Sequence, residues 1–136
     1  MKRYGLLVLV AVVSMLAAGC GGGAQAASNK INVTMTDFHF TPDAFTIGAG
    51  QEIEFTGRNN GAVTHDFVIM KLGTDVGDNF DKDDEANIFW EAELTSGQNV
   101  NLTFTAPAEP GEYQVVCAIP GHYQAGMVGK LVVTAP

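Results

Sequence analysis

The chain has 136 residues, of which 46% are hydrophobic and 16% charged, and its formal net charge at pH 7 is −8. This length is sufficient for one domain with a buried core. The acidic balance disfavours binding to nucleic acid or to anionic lipid headgroups and favours a basic protein partner.

The N-terminal residues have the pattern of an export signal. Two basic residues precede an almost wholly apolar run over residues 6–16, which is too short to be a comfortable membrane span, and small residues follow it up to Cys20. This order resembles the signal of bacterial lipoproteins, in which cleavage precedes a Cys that then carries the lipid, although the usual Leu three places before the Cys is Ala17 here. We therefore predict a signal peptide over residues 1–19 and lipidation of Cys20. The alternative is simple secretion with an ordinary cleavage nearby.

Residues 20–29 (CGGGAQAASN) have the composition of a flexible tether. A chain of this length reaches on the order of 15 Å, so the next domain, predicted over residues 30–136, would stay close to the membrane as an exported, extracytoplasmic lipoprotein. Cleavage would remove two of the seven basic residues and none of the fifteen acidic ones. Because the sequence has two Cys, acylation of Cys20 leaves Cys117 without a disulfide partner. Such a thiol needs burial or a metal.

From residue 30 onward, apolar and polar residues alternate with a period of two, and Gly and Pro interrupt the pattern often. The clearest predicted strands cover residues 31–36, 51–56, 65–72, 98–105, 113–117 and 127–134. The acidic segment 73–97 is the least regular, and its apolar residues are predicted to form a short element that folds back on the sheet. Seven to eight short strands predict an all-β fold, a Greek-key antiparallel β-sandwich.

Three side chains with affinity for soft metals stand in one short loop. Four residues separate Cys117 from His122, and four more separate His122 from Met127. A thiol, an imidazole and a thioether suit copper far better than magnesium or calcium. A blue-copper site needs a second imidazole from elsewhere in the fold. His65 begins a buried strand after a Gly- and Asn-rich loop, whereas His39 is predicted to be a partly exposed strand residue, so we choose His65.

The chain resembles the cupredoxins, the small blue-copper proteins of the auracyanin and azurin kind. The resemblance covers residues 30–136 and rests on a turn at Phe40-Thr41-Pro42, on Gly50 before a strand, on Asn60 ahead of the first His ligand, and on the loop 117–127 followed by a Val-rich strand.

The resemblance implies one copper ion, cycling between Cu(I) and Cu(II), bound by His65, Cys117, His122 and, weakly, Met127. It implies that the protein passes single electrons between redox proteins. From the acidic balance we expect these partners to have basic docking surfaces, and we expect a monomer without catalytic residues. The ring edge of His122 would reach the surface within an apolar patch that includes Val63.

Two residues depart from the family pattern. Asp66 stands where an Asn usually ties the ligand loops together, and Ala118 follows the Cys where Ser or Thr is usual. The backbone N–H of Asp66 remains able to donate to the sulfur of Cys117. Hydrogen bonds to the thiolate tune the reduction potential, so these positions are where this protein should differ from its relatives.

Other functional interpretations of the sequence have less support. Met70 has the position of a core residue. Asp81, Asp83 and Glu85 lack the spacing of an EF-hand loop and indicate a solvated acidic face. Three His cannot supply the additional copper sites of multicopper oxidases or nitrite reductases, which argues against an enzyme. A copper carrier or store remains the alternative function.

Overall fold

The computed structural model describes residues 26–136. In that range the chain forms nine strands and one short helix: β1 (Lys30–Thr36), β2 (His39–Thr41), β3 (Ala44–Gly48), β4 (Glu52–Asn59), β5 (His65–Met70), α1 (Lys82–Glu85), β6 (Ile88–Leu94), β7 (Asn99–Thr105), β8 (Gly111–Val116) and β9 (Val128–Thr134). Among these residues, no helix has the length and apolar character needed to span a membrane. The predicted signal peptide, Cys20 and most of the predicted tether lie outside the described residues.

The strands form two sheets, ordered β2-β1-β4-β7 and β3-β9-β8-β5-β6, which confirms the predicted all-β sandwich. Two details differ from the prediction. The described strands number nine instead of seven to eight, because the turn at Pro42 divides one aromatic-rich segment into β2 and β3, which join different sheets. The sandwich is also not antiparallel throughout, since β1 pairs with β4, and β3 with β9, in parallel. Parallel neighbours arise here because the chain enters the other sheet between the two strands.

The core lies between the sheets and is centred on Phe67 of β5. Its ring packs against the rings of Phe40, Phe45 and Phe55 at centroid distances of 5.3, 5.6 and 5.1 Å. Each aromatic pair of this kind adds about 0.5–1.5 kcal/mol beyond the burial of area. β5 is therefore fixed along its length by the core, and the residue that begins it, His65, is fixed with it.

All six residues of β5 are buried, which explains its unbroken apolar sequence. One face contacts the central core, and the other packs with Val116 and Val76 beneath the segment that joins β5 to β6. Met70 is fully buried in this second cluster, which confirms its predicted core position. Asp81, Asp83 and Glu85 are exposed, as predicted, and the Asp81 side chain accepts from the Asp83 N–H as the N-cap of α1.

The element predicted to fold back on the sheet is β6, a full edge strand of the larger sheet. It pairs with β5 in antiparallel register, with His65 opposite Leu94 and Asp66 opposite Glu93. Trp90 stacks on Phe104 of the other sheet, with ring centroids 4.4 Å apart. β6 therefore closes the sandwich beside β5 and positions carboxylates next to Asp66.

Strand ends meet at one edge of the sandwich. β1 and β4 end side by side, β5 begins opposite the end of β6, and β9 begins opposite the end of β8. Three connections therefore share this edge: residues 37–38, 60–64 and 117–127. The predicted metal ligands lie in or beside these connections.

Candidate metal centre

The loop that carries three of the predicted ligands is closed by its own hydrogen bonds. The N–H of Cys117 donates to the carbonyl of Met127 at 3.1 Å, and the N–H of Met127 donates to the carbonyl of His122 at 3.0 Å. Gly121 and Gly126 have φ angles of 86° and 95°, in the left-handed region that Gly adopts without strain. The chain can thus turn sharply just before His122 and again just before Met127.

The loop that precedes His65 is held by a buried amide side chain. The Nδ2 atom of Asn59 donates to the carbonyls of Val63 and Leu94, both at 2.8 Å, and its Oδ1 accepts from the N–H of Gly61 at 2.8 Å. Asn59 is 1% exposed. The end of β4 is thereby tied to the end of β6, and the loop between them delivers His65 to the site in a fixed position.

The structure brings His65, Cys117 and His122 together. The two Nδ1 atoms are 3.2 Å apart, and the Cys117 Sγ lies 3.3 Å from the His122 Nδ1. All three ligand atoms lie within 4.8 Å of one another, and within residues 26–136 no other such group of three forms. Two nitrogen ligands at about 2.0 Å from one tetrahedral metal lie about 3.3 Å apart, so the spacing fits a single first-row ion.

The thiol of Cys117 is buried, and one backbone group points at it. Burial raises the pKa of Cys117, while the N–H of Asp66, which donates to Sγ at 3.3 Å, opposes that rise. This is the backbone hydrogen bond that the sequence allowed despite the departure at residue 66. A bound cation would favour the thiolate, since coordination deprotonates a thiol. The chemistry of the donor set therefore fits a metal.

The imidazole of His122 is prepared to bind as the neutral ligand. Burial, and after it the proximity of His65, lowers the pKa of His122. Metal ligation requires a neutral imidazole with a free lone pair. His122 is 8% exposed and His65 is 0% exposed, so His122 is the more exposed of the two imidazoles, and Val63, in the loop before His65, is 43% exposed. The ring of Phe38 packs on His122 at a centroid distance of 4.6 Å.

Sequence reasoning missed Asp37, the residue that orients His65. The Nε2 atom of His65 and the Asp37 Oδ1 are 2.8 Å apart, and the Ala62 N–H donates to both carboxylate oxygens at 3.2 and 3.0 Å. The Ala62 hydrogen bond is the main reason that the pKa of Asp37 is lowered, and His65 adds to it. A proton on Nε2 leaves the lone pair on Nδ1, which faces the other two ligand atoms. A Cβ at Gly61 would collide with this carboxylate and come within 2.6 Å of Nε2.

Asp66, the residue after His65, has a buried carboxyl group in unfavourable surroundings. Its side chain is 7% exposed, and its Oδ1 has no hydrogen-bond partner among the described residues. Burial, together with the nearby charges of Glu91 and Glu93, raises the pKa of Asp66 to about 7. The usual side-chain tie between the ligand loops is therefore replaced by a carboxyl group that faces other carboxylates.

The other residues considered at the sequence level differ in burial and in distance from the cluster. Met127 is fully buried at the end of the ligand loop. His39 begins β2, is exposed as predicted, and lies outside the cluster. Ala118 is half-buried and offers no side-chain donor to the sulfur.

A β-sandwich with two imidazoles and one thiol converging at its edge, and a buried Met nearby, defines the class of small copper proteins with mononuclear His₂Cys sites. Comparison with protein families gives the same class: residues 27–134 match the copper binding proteins of the plastocyanin/azurin family. The chain belongs to this family, and copper is its metal.

Individual relatives and solved structures are also similar. Auracyanin-A from Chloroflexus aurantiacus is 30% identical over 96% of this chain and 96% of its own. The copper-resistant cuproprotein CopI from Rubrivivax gelatinosus is 31% identical over 85% of this chain and 72% of its own. The structure of dithionite-reduced auracyanin from the photosynthetic bacterium Roseiflexus castenholzii superimposes with a TM-score of 0.69 at 33% identity, over 80% of this chain and 99% of that one. Within the cupredoxins, auracyanins are thus close relatives.

Proposed function

We propose that this protein carries single electrons on one copper ion bound by His65, Cys117, His122 and, more weakly, Met127. The observation that carries the proposal is the convergence of two Nδ1 atoms and one Sγ, at 3.2 and 3.3 Å, in a buried position. Copper bound by such a set supplies one-electron chemistry, since the set suits both oxidation states.

The protein contributes rigidity and exclusion of other ligands. The Asp37 carboxylate holds the ring of His65, and the Asp66 N–H holds the sulfur of Cys117. Asp66 belongs to β5, and Asp37 is held in its turn by the Ala62 N–H, so the donors move little when the charge at the site changes. Four protein donors leave no position for a substrate, which supports an electron carrier and argues against an enzyme.

The setting of this function is also part of the proposal. The signal-like residues and Cys20 support export, followed by lipid anchoring at the outer face of a membrane. Fifteen acidic residues support redox partners with basic surfaces and argue against nucleic acid. The protein would act there as a monomer.

The direct test is to load the purified protein with copper(II). We expect an intense blue thiolate-to-copper absorption and a reversible one-electron reduction. Cys117→Ser and His65→Ala should abolish the band, and the matched variant His39→Ala should keep it. A Cys117→Ser variant that stays blue would contradict the proposal.

A copper carrier or store is the second candidate, and the similarity to a protein named as copper-resistant favours it. The two functions predict different relative rates of copper transfer and of electron transfer. A carrier passes Cu(I) to a chelator faster than its copper is oxidised and reduced by a redox protein, whereas an electron carrier retains the ion through many cycles. Stopped-flow measurements of both reactions on one sample distinguish them.

A further inference from the structure

An open cleft of about 420 Å³ lies beside the ligand loop, on the outer face of β5 and β6. Its wall combines two kinds of side chain. Four carboxylates line it, those of Asp66, Glu85, Glu91 and Glu93. Phe80 and Ile119 line it with apolar surface. Such a cleft offers negative charge and an apolar wall to the same ligand.

Strand register brings three of the four carboxylates together. Asp66 lies directly opposite Glu93, and Glu91, two residues earlier on β6, shares the same face of the sheet. Like charges directly opposite each other destabilise a strand pair. Asp66 is also 7% exposed with an unpartnered Oδ1. A cation bound in the cleft would relieve this repulsion.

Within residues 26–136, no ion pair involves a cleft carboxylate. The ion pairs within residues 26–136 join Lys30 to Glu54, Lys130 to Glu112, and His65 to Asp37. None of these pairs includes one of the four cleft carboxylates. A positively charged group of another molecule would therefore find these carboxylates without an ion-pair partner.

The cleft does not have the character of a metal site. In residues 26–136 the only cluster whose ligand atoms converge closely enough for a metal is that of His65, Cys117 and His122. The cleft carboxylates are more widely spaced, and the Phe80 ring and Ile119 form part of the wall. An Arg side chain matches these features, because its planar guanidinium binds carboxylates in pairs and stacks on aromatic rings while its stem packs on apolar surface.

We infer that this cleft receives an arginine side chain of a redox partner protein. The assignment of the partner as a redox protein rests on the proposed function, whereas the cation site itself does not. The N–H of Asp66 donates to the sulfur of Cys117, and residues 118–119 continue from that ligand into the cleft wall. A partner anchored here would lie next to the Cys117 side of the copper site.

The test uses the copper-loaded, reduced protein and N-acetylated tetraarginine amide as the probe. NMR titration should shift the amide signals of Asp66, Ala118 and Ile119. Replacing the two glutamates of β6, Glu91→Gln with Glu93→Gln, should weaken binding about fivefold, as expected for the loss of two partly solvated ion pairs.

A matched control removes the same charge elsewhere. Glu52 and Glu109 are exposed and lie at the opposite end of the sandwich, and Glu52→Gln with Glu109→Gln should weaken binding about twofold or less. An equal loss in both double variants would overturn the site, because it would show attraction to net charge alone. Equal affinity for tetralysine would overturn the arginine assignment, and displacement of the peptide by Ca²⁺ with the same amide shifts would indicate a divalent-cation site instead.

The blue absorption of each variant is recorded on the same samples. It should persist in both double variants. Loss of peptide binding with the blue band intact would refute the cleft and leave the electron-carrier proposal standing. A parent protein without a blue band would refute the electron carrier, whatever the peptide does.

Discussion

Two aspartates beside the metal ligands have opposite environments. The Asp37 side chain is 33% exposed and hydrogen-bonded, and its pKa is lowered, chiefly by the Ala62 N–H. Asp66 is 7% exposed and has a pKa raised to about 7, chiefly by burial. One residue thus provides a stable negative charge next to His65, and the other is half-neutral near pH 7. The same residue type has two distinct effects on the site.

Asp37→Asn should raise the reduction potential of the bound copper. The substitution keeps an acceptor for the His65 Nε2–H but removes a negative charge that favours Cu(II) over Cu(I). A tenfold change in relative affinity, at the lower end of such effects, corresponds to about 60 mV. Voltammetry of the parent and the variant measures the shift. Glu52→Gln removes a charge at the far end of the sandwich, and an equal shift in that control would contradict a specific role for Asp37.

Asp66→Asn should stabilise the metal-free protein in a pH-dependent way. The folded-state pKa of about 7 exceeds the unfolded value of 3.8, so the folded state binds more protons between these values and stability falls as pH rises through them. The neutral Asn lacks this slope. Near pH 8 the variant should be more stable by about 1–3 kcal/mol, and the advantage should shrink towards pH 4.

Urea denaturation of both metal-free proteins at the two ends of this range measures the difference. A stability difference that is the same at low and high pH would show that the Asp66 charge is not its cause.

At the scale of elements, the copper end depends on connections more than on strands. The loop before His65 is held by Asn59, and the loop 117–127 by hydrogen bonds between its own backbone groups. Tyr123 adds a link from the ligand loop to the segment after β5, because its hydroxyl donates to the Gly77 carbonyl at 2.9 Å. The otherwise irregular segment 71–87 therefore supports the ligand loop from outside.

Asn59→Ala should destabilise the protein by about 3 kcal/mol, because it leaves two carbonyls and one N–H without partners at a nearly buried position. The same change should weaken copper binding, since the loop before His65 loses its support. Asn60→Ala is the matched control. Asn60 is exposed and pairs through its backbone N–H with Met35, so its side chain should contribute within about 0.5 kcal/mol. Thermal unfolding with and without copper measures both effects, and equal losses in the two variants would refute the role of Asn59.

At the scale of the whole molecule, the proposed electron-carrier function predicts that net charge controls the encounter with partners. The described residues include all fifteen acidic side chains and five of the seven basic ones. Such an imbalance attracts basic partners over distances comparable to the screening length. The acidic surface as a whole would thus steer a partner towards the protein. The cleft and the exposed residues around His122 would then position it.

The second-order rate of electron exchange with a basic redox protein should fall as salt is added. A decrease of about tenfold between low and high ionic strength is typical of steered association. With an acidic redox protein the rate should instead rise. Stopped-flow kinetics of the copper-loaded protein measures both trends, and a rate independent of salt would show that net charge does not control the encounter.

Sequence reasoning reached the fold class because a period of two with frequent turns is a local signal. It did not reach the pairing of strands. Periodicity assigns each side chain to a face but does not specify the neighbouring strand, so the parallel pairing of β1 with β4 was missed. That pairing places Asp37, just after β1, beside Gly61 and Ala62, just after β4. Asp37 was overlooked for this reason.

The sequence alone determined the residue types and the spacing of the proposed donors Cys117, His122 and Met127, because one short loop contains all three. The sequence favoured His65 over His39 only from its position in the chain, and the tertiary structure brings His65 to the other donors, since its contact with His122 spans 57 residues and depends on how β5 and β8 pair. The tertiary structure also decided the neighbours of Asp66, because only the register of β5 with β6 brings Glu93 opposite that carboxylate. Contacts between distant residues follow from packing of the whole chain, which no local pattern specifies.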